Sequence, residues 1–98
     1  MPKHPFHILY ILQCGDGTYY VGITSDLRAR IIRHKTDRGC PYTAKRHPVS
    51  LVYTETFPTR GQAMIRENQL KRWSHAKKKA LIERDHIQLR QLAKGSWI

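Results

Sequence analysis

Acidic side chains are scarce in this chain of 98 residues, with 7 Asp and Glu against 18 Lys and Arg and a formal charge of +11. So few carboxylates argue against a two-metal centre, which normally needs several. The basic excess favours polyanions, nucleic acid first and acidic lipid second. Cysteine is nearly absent too: Cys14 and Cys40 lack any CxxC partner, which argues against a zinc or dithiol site and predicts two reduced thiols. His4 and His7 have no second ligand pair nearby and read as ordinary polar residues. No apolar run reaches the roughly 18 residues of a membrane helix, and MPKHPFHILYILQC has no small-residue cleavage site after its short apolar core. A cytoplasmic protein with no membrane association is expected. Internal repeats, low-complexity tracts and linkers are missing, so residues 1–98 read as a single domain with a core just large enough to fold unaided.

What is present is a clear order of elements. FHILYILQC and TYYVGIT are rich in β-branched and aromatic residues and flank GDG, which reads as a β-hairpin. Loop length decides which side chains meet. A two-residue turn would put Tyr10 and Tyr20 on opposite faces, because a one-residue slip flips every side chain. A three-residue Gly15-Asp16-Gly17 loop, with Gly17 left-handed in a G1 bulge, pairs Leu12 with Tyr20 and Tyr10 with Gly22, so both tyrosines share a face. Ser25 or Asp26 caps a helix running to about Lys35. The stretch TDRGCPYTAKRHPV is too long and too punctuated for an ordinary connection, and it carries Arg38, Lys45, Arg46 and His47. SLVYTETF reads as a third strand, TRGQAMIRENQLKRW as a second helix, and Ser74 as the cap of a last helical region stopping near Gly95. The first strand is the most apolar and belongs at the centre of a three-stranded antiparallel sheet flanked by helices, an α+β fold.

The helical faces point to chemistry. At about 100° per residue, Leu27, Arg30, Ile31 and His34 share one sector, while Arg28 and Arg33 point elsewhere. An arginine on the edge of an apolar stripe packs its stem and aims its guanidinium inward, towards the tyrosines. In the second helix Ala63, Glu67 and Leu70 share a face, with Met64 and Trp73 flanking them. A carboxylate there needs a partner, because an unpaired buried charge is costly. That partner is either an arginine or a divalent metal ion, for which a hard oxygen is the natural ligand. Two tyrosines, an arginine, a histidine and one carboxylate on a basic domain supply the parts of phosphodiester hydrolysis: a positioner or base for water, a cation for the oxyanion, and a single metal ion.

These residues resemble the GIY-YIG nuclease family, in particular its small single-domain bacterial members. Ile8 to Tyr10 stand for the first signature triad, with Ile8 in place of its glycine, and Tyr20 to Gly22 stand for the second. Arg30 follows the second-motif tyrosine at the spacing of the family's essential arginine, His34 occupies the next polar site position, and Glu67 matches the metal-binding glutamate. Ile23 stands where some members carry a lysine. The resemblance covers about residues 6–82. It implies a metal-dependent DNA endonuclease with Tyr10, Tyr20, Arg30 and His34 as catalytic residues and Glu67 holding one Mg²⁺ or Mn²⁺. Arg38, Lys45, Arg46, Lys71 and Arg72 are the expected contacts to duplex or branched DNA, in repair or recombination, with a protein partner supplying specificity. The Lys77-Lys78-Lys79 run reads as a solvated helix face. A non-catalytic nucleic-acid-binding module, or a nuclease subunit needing a partner, is the alternative.

Overall fold

β1 (His7–Gln13) is apolar on both faces, with Leu9, Tyr10, Ile11 and Leu12 all fully buried. In a computed structural model that describes residues 6–36 and 40–84, it lies between β2 (Tyr19–Thr24) and β3 (Ser50–Phe57) in an antiparallel sheet of order β2-β1-β3. A strand covered on both sides has no solvent face to mark with polar residues, which explains its continuous hydrophobic run. The central placement expected from the sequence is the one observed.

The alternation of β1 divides the core in two. Leu9 and Ile11 pack with Val21, Leu70 and Leu81 on one face, under α3 (Arg60–Lys71) and α4 (His75–Ile82). Tyr10 and Leu12 pack with Cys14 and Val49 on the other, against Tyr20, Leu27, Ile31 and Tyr42 from β2, α1 (Leu27–Lys35) and α2 (Pro41–Ala44). The hairpin has the expected three-residue loop. Gly17 has φ +85°, a left-handed conformation that glycine adopts without steric cost, and the register pairs Leu12 with Tyr20 and Tyr10 with Gly22.

Local signals account for the helix starts. The Asp26 carboxylate accepts from the Ala29 N–H, the Thr59 hydroxyl from Gln62 and the Ser74 hydroxyl from Lys77. The long stretch before β3 contains the short helix α2, which the sequence reading passed over; Pro41 at its first turn was the available sign. Arg38 and the end expected for the last helix lie outside the described residues. Among the described residues no helix is long and apolar enough to cross a membrane.

Candidate active site

Tyr10 sits at the centre of the site yet is fully buried. Its ring leans over Gly22 on the neighbouring strand, where a Cβ would lie 2.5 Å from the Tyr10 hydroxyl oxygen and 2.6 Å from Cζ. This close approach, and not backbone freedom, is what requires glycine at position 22. Gly22→Ala is therefore expected to displace the ring from its slot and to cost about 1–3 kcal/mol of stability. Denaturant unfolding measures it, and an unchanged midpoint would mean that the ring moves aside freely.

The Tyr10 hydroxyl lies 3.0 Å from Nε2 of His34, and Nδ1 of His34 lies 2.7 Å from the Thr43 hydroxyl. Burial raises the Tyr10 pKa, while the Arg30 guanidinium, which reaches the hydroxyl, works against the rise. His34 is only 2% exposed. Burial lowers its pKa, and the charges of Arg30, Arg33 and His47 push the same way, so the imidazole is neutral at pH 7. A histidine with a depressed folded pKa contributes stability above its unfolded value of about 6.5 and loses it as pH falls towards the folded value. Unfolding midpoints are expected to decline below about pH 6.5, by at most about 1.4 kcal/mol per pH unit from this group. His34→Gln should flatten that part of the profile; an equally steep decline in the variant would assign the loss to other groups.

Tyr20, Arg30, Arg33, His34 and Cys40 line a cleft of about 190 Å³ in front of this buried layer. Tyr20 is half-buried, so of the two tyrosines it is the one that meets the cleft. Its ring centroid stands 6.3 Å from that of Tyr10 and 5.2 Å from that of His34. Burial and a hydrogen bond with Cys40 raise its pKa well above the ordinary phenol value, and the charge of Glu67 adds to the rise. Cys40 is the N-cap residue of α2; burial raises its thiol pKa, but the polar surroundings supplied by Thr43, Tyr20 and Tyr42 outweigh it and lower the pKa.

Three expectations need correction here. Arg33 does not lie away from the site: it is among the residues that line the cleft, and its charge acts on His34. Among the described residues Glu67 pairs not with an arginine but with Lys71, one turn along the same helix, whose Nζ lies 3.3 Å from the Glu67 carboxylate. The arginine and carboxylate that pair on this side of the sheet are Arg66 and Glu55, joined by two hydrogen bonds of 2.9 and 3.0 Å. Nor is the lysine run simply a wet face: Lys77 is 6% exposed, with its Nζ 4.6 Å from the centre of the Trp73 ring.

The expected nucleic-acid contacts divide as well. Lys45 and Arg72 are exposed and Lys71 is half exposed beside Glu67. Arg46 serves as a clasp, bonded to Asp16 at 3.0 Å and to the Tyr42 carbonyl at 2.9 Å and lying over the Tyr42 ring.

Among the described residues no three His, Cys, Asp or Glu side chains gather in one place. A metal ion held by Glu67 would thus draw most of its shell from water and phosphate oxygens, which Mg²⁺ tolerates. Glu67 suits that part. Its side chain is 17% exposed, it belongs to the helix layer opposite the buried histidine, and its charge still raises the pKa of both Tyr10 and Tyr20.

A three-stranded sheet with two neighbouring tyrosines on the face covered by an arginine-bearing helix is the architecture of a small nuclease-type domain. Residues 6–80 match the GIY-YIG catalytic domain. A UPF0213 protein of Bacillus pumilus is 42% identical over 88 residues, covering 90% of this chain and 89% of that protein. One from Halobacterium salinarum is 44% identical over 75 residues, covering 76% of this chain and 97% of that protein. Among solved structures, the UPF0213 protein of Bacillus halodurans has a TM-score of 0.53 at 41% identity, covering 80% of this chain and 83% of that one. A protein of E. faecalis reaches 0.61 at 34% identity, covering 89% and 93%. The chain belongs to the GIY-YIG family.

Proposed function

We propose that this protein is a metal-dependent endonuclease that hydrolyses phosphodiester bonds in DNA. The observation that carries the reading is the cleft itself, where two arginines and a tyrosine converge in front of a neutral, buried histidine. Arg30 and Arg33 bind the phosphate, and their charge is worth most on the pentavalent transition state, where negative charge on oxygen is greatest. Tyr20 faces the cleft and orients the attacking water. Its phenol keeps its proton at neutral pH; Glu67 contributes to that, so cancelling the Glu67 charge moves the phenol back towards its ordinary range. Tyr10 stands behind the cleft and His34 in its wall, and together they hold Arg30 in place. Glu67 holds the single Mg²⁺ or Mn²⁺, which when bound supplies Lewis-acid polarisation of the phosphate. Lys45, Lys71 and Arg72 contact the DNA backbone.

The test is incubation of pure protein with supercoiled plasmid and with branched DNA, in Mg²⁺, in Mn²⁺ and in chelator. Nicking that needs the metal supports the proposal. Salt-sensitive binding with no metal-dependent cleavage of any topology would instead identify a nucleic-acid-binding module, since basic charge alone accounts for binding.

A further inference from the structure

Behind the cleft, a run of hydrogen bonds crosses three elements. It passes from Tyr10 on β1 to His34 on α1 and on to Thr43 on α2. Tyr10 and Thr43 are fully buried, so each polar hydrogen must find an acceptor within the protein. That requirement settles where the protons sit.

At the Tyr10 hydroxyl, the described residues bring one hydrogen-bond acceptor, Nε2 of His34 at 3.0 Å, while the Arg30 guanidinium acts on the phenol as a nearby cation. A guanidinium has donors only, so the Tyr10 proton must go to Nε2. Nε2 then carries a lone pair, and the neutral imidazole keeps its one proton on Nδ1. That N–H donates to the Thr43 hydroxyl oxygen at 2.7 Å, and the Thr43 hydroxyl donates in turn to the Cys40 carbonyl at 3.3 Å. Every donor is satisfied. In the opposite tautomer, Nε2–H would aim at the Tyr10 oxygen, and the buried Tyr10 O–H would be left with no acceptor among the described hydrogen bonds.

We infer that Thr43 is a positioning residue: by accepting from Nδ1 it fixes the His34 tautomer, so that Tyr10 donates to His34 and offers its lone pairs to Arg30. α2 thereby governs the aim of an arginine that it does not carry. Only the last step, in which an aimed Arg30 meets phosphate, rests on the proposed nuclease activity.

Nitrogen-15 NMR of the imidazole side chains reads the tautomer directly, with no DNA present. The wild-type protein is expected to show His34 protonated on Nδ1 and not on Nε2 at neutral pH. Thr43→Val keeps the shape and removes the acceptor, so His34 should shift to the Nε2–H form or to a mixture, and Thr43→Ser should restore Nδ1–H. Nicking should fall on the order of tenfold or more in Thr43→Val, with DNA affinity in chelator unchanged, and recover in Thr43→Ser, because small errors in positioning are costly to rate.

A wild-type His34 protonated on Nε2 overturns the inference, and that measurement needs no variant to fold. So does a Thr43→Val protein that retains Nδ1–H alone. A changed tautomer with unchanged nicking removes the link to Arg30. If the wild-type protein cleaves no DNA, the nuclease proposal fails while the tautomer measurements still decide the role of Thr43.

Discussion

Arg30→Ala is expected to lower metal-dependent nicking by about 10²- to 10³-fold, the usual scale for losing one preorganised charge at a developing oxyanion, while DNA affinity stays within a few-fold of wild type. The asymmetry follows from where each interaction acts. Binding draws on a field of 18 Lys and Arg residues, of which Arg30 is one. Catalysis draws on the cation held by Tyr10 in the cleft, and its contribution grows as charge builds on the phosphate. Arg33 shares the cleft, but the cation that acts on the Tyr10 hydroxyl is Arg30, so Arg33 is a poor substitute for it. Single-turnover nicking beside fluorescence-detected binding in chelator separates the two effects. Parallel losses in rate and affinity would make Arg30 an ordinary backbone contact.

Glu67→Gln should also reduce nicking by orders of magnitude, with chelator-insensitive binding unchanged and thermal stability shifted little. The amide is nearly isosteric, but it replaces a charged oxygen ligand with a neutral one, which a weakly held Mg²⁺ does not tolerate. The small effect on stability follows from the partner. The Lys71 side chain is 51% exposed, and a surface pair of this kind contributes about 0–1 kcal/mol, so the substitution strands no buried charge. Glu55→Gln is the natural contrast, because Arg66 is half-buried and would lose the charge of its carboxylate partner. A Glu67→Gln protein that unfolds as easily as Glu55→Gln would show that Glu67 is structural. One that nicks DNA at the wild-type rate would remove it from the metal site.

Much of the fold was legible because it is local chemistry. The GDG spacing determines the bulged turn, the turn determines the register, and the register puts Tyr10 and Tyr20 on one face. Residue type and spacing likewise gave the Ser74 cap and narrowed the first helix's cap to Ser25 or Asp26, of which the structure uses Asp26. The continuous apolar character of β1 announced a central strand covered on both sides.

Helical periodicity, by contrast, gives the direction in which a side chain leaves the backbone and not where a long one ends. For that reason periodicity alone places Arg33 away from a cleft that it helps to line. The same limit hid the true partners of the carboxylates. Glu55 and Arg66 come from different elements, as do Asp16 and Arg46, and no spacing within either element announces the pair.

The sequence by itself determined the strand order, the register, the shared face of the two tyrosines and the basic surface, because turn geometry, strand alternation and net charge follow from neighbouring residues. Only the tertiary structure decided that Tyr10 is buried and Tyr20 meets the cleft, that Glu67 acts on both from the opposite layer, and that Thr43 closes on His34. Those outcomes depend on how α1, α2 and α3 pack around the sheet, which brings together groups that are distant in sequence and sets which of them water can reach.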